Sequence, residues 1–238
     1  MTARILLATA LVAGAVAPAG AAPAAPQVDV MVVGRTSVLA AAKVVRARAA
    51  TVPVGRRRCA VAAATALAAL DAVRRGGGPA YRLRDYGACT RRAADSTSLF
   101  VTQIGPDRNR RANGWVYKVG RRVPGVGAAD PSGRMLRAGD RLTWFYCRAQ
   151  SSGGCQRTLV VTPRSGPGQP LRVVVRGYDD NGRGLAVAGA TVTAGGRTAL
   201  TARDGTASFP PLVVAAVQRV QAQRPGMVSS FPVAVRAA

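Results

Sequence analysis

The chain contains no histidine and no glutamate. Without histidine, neither a Ser-His-Asp triad nor a Cys-His pair can be assembled. Without glutamate, a glycosidase that uses paired carboxylates would depend on aspartate alone. Phosphate-binding glycine loops and the Gly-x-Ser-x-Gly motif are also missing from the sequence. The composition therefore predicts a protein that is not an enzyme and that carries no cofactor and no metal.

The sequence also lacks an apolar run long enough to span a membrane. The first four residues include one basic side chain, Arg4. Residues 5–17 are apolar, and small residues follow at 19–21. This order is typical of a secretory signal peptide, which we place at residues 1–21, with a flexible leader at 22–27. We therefore expect a secreted protein, extracellular or held loosely at the cell surface, without a transmembrane segment.

Acidic residues are scarce, and the basic residues are nearly all arginine. Against 34 Lys+Arg there are only 10 Asp+Glu, which gives a formal net charge of +24. The excess of arginine over lysine is typical of a GC-rich coding bias, and the arginines are scattered in pairs and triplets. No nucleic-acid-binding motif accompanies them. The charge predicts non-specific binding of anionic polymers at low salt, whether nucleic acid or envelope polymers such as teichoic acid.

Cysteines are few and even in number, and four of them in an exported chain predict two disulfides. Cys147 and Cys155 flank a turn between two strand-like segments, so we pair them. Cys59 and Cys89 pair by elimination. A zinc site would need other spacings and usually histidine, so a structural role is favoured.

Two changes in composition divide the mature chain. Residues 163–170, rich in proline and glycine, are predicted to form a linker. Residues 28–162 combine one segment of helical period, around Leu67 and Leu70, with several strand-like segments, which predicts one helix on a mixed sheet in an α+β, β-grasp-like domain. Residues 171–238 have no helical period and predict a small all-β sandwich, immunoglobulin-like or prealbumin-like.

Aromatic residues make up only 5% of the chain, and most precede the linker. In two strand-like segments, "GWVYKV" and "RLTWFYC", alternation places Trp115, Tyr117, Trp144 and Tyr146 on one side. If that side meets the helix, the four rings are core. If it is open, they form a ligand-binding platform, and both alternatives stay open at this stage.

The segment "YDDNGRG" contains Asp179, Asp180 and Asn181, which could suggest calcium. It lacks the alternating oxygen ligands and the distal glutamate of an EF-hand loop. Asn-Gly is also among the strongest hairpin signals, and we therefore interpret the segment as a turn.

A set of motifs between Cys59 and Cys155 resembles a known family. "YRLRDYGAC", "LFVTQIGPDRNR", "NGWVYKVGRRVPGVGAADPSG", "LRAGDRLTWFYC" and "CQRTL" occur in this order. They resemble the bacterial transcobalamin-like C-terminal domains of unknown function, which implies a β-grasp fold and export, usually without a known activity. The segment "VAGATVTAGGRTALTARDGTASF" is similar to carboxypeptidase-regulatory-like and other immunoglobulin-like modules.

Three functions are consistent with these observations. The first is an exported, non-enzymatic binding protein, whose first domain binds an unknown small ligand or envelope component through the four aromatics and the loop from Pro124 to Asp130, with the sandwich as a spacer or adhesion module. The second is a structural cell-surface protein that mediates protein contacts. The third is a charge-driven binder of anionic envelope polymers or nucleic acid.

Overall fold

The computed structural model describes residues 25–164, 170–210 and 217–236. The predicted signal peptide (1–21), the first half of the leader and most of the linker lie outside these residues. The described residues are predominantly in β-strands, and they contain one α-helix, α1 (Ala66–Arg75). No helix there is long and apolar enough to cross a membrane.

Ten strands in residues 25–164 precede the predicted linker or overlap its start. They are β1 (Gln27–Val33), β2 (Val38–Arg46), β3 (Ala50–Val54), β4 (Arg57–Val61), β5 (Tyr81–Asp85), β6 (Leu99–Ile104), β7 (Asp107–Arg108), β8 (Gly114–Val119), β9 (Arg141–Cys147) and β10 (Thr158–Pro163). Seven described strands follow it. They are β11 (Leu171–Tyr178), β12 (Gly184–Ala186), β13 (Thr191–Ala194), β14 (Arg197–Leu200), β15 (Thr206–Phe209), β16 (Val217–Gln223) and β17 (Val233–Arg236).

The prediction of a β-grasp-like α+β domain is wrong. Strands β1 to β9 do not form one sheet under a helix, because they divide among the separate sheets β2-β1-β9-β8, β3-β4 and β5-β6-β7. The reason lies in local pairing. The β5 and β6 segments pair antiparallel with each other, as do β3 and β4, and these strands do not join β8 and β9. The described chain is sandwich-like and mostly β.

Helix α1 has a stabilising hydrogen bond at each end. The Thr65 hydroxyl accepts a hydrogen bond from the Ala68 amide at 3.2 Å, which satisfies one of the free donors of the first turn. At the other end, the Lys43 ammonium of β2 donates to the carbonyl of Gly76 at 3.0 Å. A cation at this end also offsets the negative end of the helix dipole. The side chains of Leu67 and Leu70 are fully buried.

The strands after the linker form two sheets that share one core. One sheet has the order β10-β11-β12 with β15 paired to β11, and the other has the order β14-β13-β16-β17. Val175 of the first and Val192 of the second are both fully buried in this core. Strand β10, which the sequence assigns to the first domain, pairs antiparallel with β11. Its Leu159 and Val161 belong to the second core.

The first half of the described chain (β1 to β9 with α1) and the second half (β10 to β17) meet at one face of the β2-β1-β9-β8 sheet. This face points away from α1. Met31 and Phe145 on this face are buried together with Val228, and Phe231 packs against them. Side chains along β9 point alternately to the two faces of the sheet, and neither face is open to solvent. One side meets α1 and the other meets the second half.

A buried lysine lies at the junction of the halves. The Lys118 side chain is fully buried, and its ammonium lies 3.1 Å from Oδ1 of Asp180 in an ion pair that lacks hydrogen-bond geometry. The ammonium also donates to the Tyr178 carbonyl at 3.1 Å. Asp180 itself accepts from the Cys155 amide at 2.8 Å through Oδ2, and its carbonyl accepts from the Val123 amide at 2.9 Å.

Both predicted cysteine pairs are confirmed at disulfide distance. The Cα atoms of Cys59 and Cys89 lie 5.4 Å apart, and those of Cys147 and Cys155 lie 5.1 Å apart. The described residues contain no free cysteine.

Candidate functional site

The four predicted aromatic residues do come together, but in the core. Trp115, Tyr117, Trp144 and Tyr146 are between 1% and 7% exposed. The rings of Trp115 and Tyr146 pack edge to face at 5.8 Å, and those of Tyr117 and Trp144 lie 5.3 Å apart. The Trp144 indole donates to the Ala66 carbonyl of α1 at 3.3 Å. Of the two alternatives for this cluster, the structure therefore selects the core.

The polar atoms of these rings are used within the fold as well. The Trp115 indole donates to the Asp107 carbonyl at 2.8 Å, and the Tyr146 hydroxyl donates to the Arg108 carbonyl at 3.0 Å. The Tyr117 hydroxyl donates to the Val126 carbonyl at 3.0 Å. Burial, followed by the nearby charge of Asp130, raises the pKa of Tyr117 to about 12. These groups satisfy buried partners and are not available to a ligand.

The predicted ligand loop from Pro124 to Asp130 closes the start of α1. Its Ala128 carbonyl accepts a hydrogen bond from the Leu67 amide at 2.8 Å. Asp130 accepts from both the amide and the hydroxyl of Ser132, at 2.8 and 2.7 Å, so its carboxylate shapes the following turn. Pro124 and Asp130 are half-buried. The contacts of the loop therefore stabilise the fold.

Residues 179–181 form the predicted turn. Oδ1 of Asp179 accepts from the amides of Asn181 and Arg183, at 3.1 and 2.8 Å. Asp180 is engaged with Lys118 and Cys155, as described above. No group of three or more histidine, cysteine or acidic side chains in the described ranges is placed to hold a metal ion.

Two exposed aromatic rings mark a different surface. All eleven aromatics (two Trp, five Tyr, four Phe) lie in the described residues. Only two of them are exposed, Tyr86 at 65% and Phe100 at 45%. Their rings pack against each other edge to face, with centroids 6.2 Å apart. An exposed pair of this kind is uncommon, since the other nine rings of this chain are covered wholly or in part.

The exposed rings line a groove with four arginines. The groove has a volume of about 630 Å³, and its lining includes Arg82, Arg84, Arg108 and Arg111 together with Tyr86, Phe100 and the buried Trp115. We call this surface the arginine–aromatic groove. The guanidinium carbon of Arg84 lies 4.7 Å from the centre of the Tyr86 ring, within the range of a cation–π contact. In the part of the chain that the structure describes, none of the four arginines makes an ion pair.

The β5–β6 hairpin positions the groove side chains. Arg84 lies opposite Phe100 in the antiparallel register. Along β6, Leu99 and Val101 are buried while Phe100 between them points outward. The alternation of "SLFVTQI" could therefore have revealed Phe100 as an exposed ring. The exposure of Tyr86 could not be read in this way, because Tyr86 follows the end of its strand.

Asp85 holds the chain segment that carries Tyr86. Its carboxylate accepts from the amides of Cys89 and Gly87, both at 2.9 Å, and pairs with Arg57 at 2.9 Å. The pKa of Asp85 is lowered, chiefly by the Cys89 amide and further by Gly87 and Arg57, against the opposing effect of burial. The Cys59–Cys89 disulfide anchors the same turn. The wall of the groove is thus rigidly held.

No protein-family model, curated protein or solved structure matches this chain. The geometry of the groove therefore carries the functional argument by itself. The groove places four arginines beside two exposed aromatic rings. No acidic residue lines it to compete for the arginines.

Proposed function

We propose that this protein is an exported, non-enzymatic binding protein that holds an anionic polymer in the arginine–aromatic groove. The observation that carries the proposal is that the two exposed aromatic rings share one groove with four arginines that lack acidic partners. The two disulfides and the charge of +24 support a role outside the reducing cytoplasm among anionic polymers.

The chemistry of the groove fits a polymer better than a small ligand. Arginine binds phosphate and carboxylate groups through a planar fork of donors, and four such forks along an open groove match repeated anionic groups. Exposed rings add contacts to the flat faces of bases or sugars. The small-ligand hypothesis depended on the Trp115 cluster, which is core, so the charge-driven alternative becomes the better one.

Salt dependence tests the electrostatic part of the proposal. Binding of a single-stranded oligonucleotide and of polyphosphate to the oxidised mature protein is measured by fluorescence anisotropy between low and physiological salt. If four arginines each displace one counterion, the logarithm of the affinity should fall with the logarithm of the salt concentration with a slope of about −3. A slope near zero contradicts the proposal.

A pair of variants with equal net charge separates the groove from the overall charge. Arg82→Gln with Arg84→Gln removes two groove charges. Arg197→Gln with Arg203→Gln removes two exposed charges from the second half. We expect the first pair to reduce the slope by about 1.4 and the second pair to leave it nearly unchanged. Equal losses in both pairs would show that only total charge matters and that the groove is not the site.

The exposed rings distinguish the kinds of polymer. Stacking on a base contributes about 1–3 kcal/mol, so Phe100→Ala should weaken oligonucleotide binding by that amount. Polyphosphate has no ring, and its affinity should not change. Leu200→Ala, which truncates an apolar side chain that is 69% exposed in the second half, is the matched control. An unchanged oligonucleotide affinity in Phe100→Ala limits the site to the arginines.

A further inference from the structure

A small apolar cavity lies between the two halves, away from the arginine–aromatic groove. It has a volume of about 140 Å³, and β9 and the 120–121 turn form one wall while β10 and residues 229–233 form the other. The apolar part of its lining consists of Leu159, Val160, Val161, Phe231 and Val233. Ligand sites occur preferentially at such junctions.

The size of the cavity limits what can enter. An apolar cavity of about 150 Å³ in another protein stays dry and binds benzene. A space of this volume holds one ring or a short branched chain, and it excludes a polymer. The polar residues Thr143, Thr158 and Ser229 also line the cavity. The cavity thus combines an apolar interior with sparse polar groups, as small-molecule sites usually do.

Two arginines line this cavity, and each lies within cation–π distance of an aromatic ring. The guanidinium carbon of Arg121 lies 4.6 Å from the centre of the Tyr178 ring, and that of Arg141 lies 5.8 Å from the centre of the Phe231 ring. The Gly120 amide donates to the Arg141 carbonyl at 2.8 Å, which joins the ends of β8 and β9 and places the two arginines on adjacent chain segments. Neither has an ion-pair partner within the described ranges, and no carboxylate lines the cavity.

We propose that this cavity binds a small monocarboxylic acid with a single ring or a short branched body, of the size of benzoate. The apolar body lies against Val160 and Phe231, and the carboxylate pairs with Arg121 and Arg141. Arginine matches a carboxylate through two parallel charge-assisted hydrogen bonds. The proposal does not depend on polymer binding, because the groove and the cavity share no lining residue.

The location of the cavity gives the ligand a second effect. Arg121 and Arg141 come from the first half of the chain, and Val160 and Phe231 come from strands and segments that pack in the second. A ligand that contacts both walls binds only when the halves are docked. Binding should therefore raise the melting temperature in proportion to the logarithm of the ligand concentration above Kd.

The test uses the oxidised mature protein and benzoate as the probe, with calorimetry and thermal unfolding at constant ionic strength. Benzyl alcohol has the ring without the charge, and acetate has the charge without the ring. We expect benzoate to bind at least tenfold more tightly than either and to raise the melting temperature. Benzoate that binds no better than acetate overturns the proposal.

Two variants locate the site. Arg141→Gln should weaken benzoate binding at least tenfold, whereas Arg137→Gln, an exposed arginine four residues earlier and outside the cavity, should not change it. Val160→Phe fills the cavity and should abolish benzoate binding while oligonucleotide binding in the groove persists. If Val160→Phe fails to fold, the Arg141 and Arg137 comparison still decides. Equal benzoate affinity in these two variants overturns the proposal.

Discussion

Replacing Lys118 with methionine should lower the free energy of unfolding, because it disrupts the junction of the two halves. The ammonium of this fully buried lysine lies 3.1 Å from Asp180 and 3.1 Å from the Tyr178 carbonyl. At an effective dielectric constant near 20, two unit charges at this distance attract by about 5 kcal/mol. Burial of the ammonium costs several kcal/mol, so the intact pair contributes little net stability. That burial also lowers the pKa of Lys118, against the opposing effect of Asp180.

Removal of one partner is a different matter, because the other charge then stays in place without compensation. Breaking a buried pair costs about 3–5 kcal/mol. Since the Asp180 side chain is 24% exposed and keeps its bond to the Cys155 amide, we expect the lower end, about 3 kcal/mol, for Lys118→Met. The free energy of unfolding in urea measures it, with the disulfides intact.

A double-mutant cycle provides the control. Asp180→Asn removes the negative charge and keeps an acceptor for Cys155, so the double variant should be more stable than Lys118→Met alone. The coupling energy should fall between about 0.5 and 3 kcal/mol. Additive losses, or a loss below about 1 kcal/mol in Lys118→Met, would refute the reasoning that an uncompensated Asp180 charge destabilises the junction.

Three further predictions concern the first half of the chain. Trp115→Ala should lower the free energy of unfolding by about 3–5 kcal/mol in a urea titration, because its ring is buried core. Since the pKa of Tyr117 is raised to about 12, its contribution is present below pH ~10 and is lost as the pH rises from there to about 12. Alkaline unfolding followed by circular dichroism should thus be less pH-dependent in Tyr117→Phe. The pKa of Asp85 is lowered, so its contribution is present above the ordinary aspartate pKa and is lost as the pH falls through the folded value. Asp85→Asn should flatten the acid limb of the stability curve, and an unchanged limb contradicts the assigned role of its bonds to Cys89 and Gly87.

Cysteine number and local periodicity were enough to predict several features of this protein. The pairing of Cys147 with Cys155 followed from the short turn between them, and the helix at Leu67 and Leu70 followed from the spacing of its apolar residues. Most strand segments were likewise evident from alternation, because each residue in a strand chooses its face by local geometry. The charge and the missing histidine were properties of composition and needed no fold.

Only the tertiary structure decided which faces are covered and which strands pair. Alternation placed Trp115 and Trp144 on one side of a sheet, but whether that side meets solvent depends on segments distant in the chain. The helix covers it, and Val228 with Phe231 cover the other side. The β-grasp prediction failed for the same reason, since hydrogen bonds between strands are long-range choices. Tyr86 is exposed beside Phe100 and Arg84 because a hairpin folds back on itself, and only the assembled chain brings these three side chains into one groove.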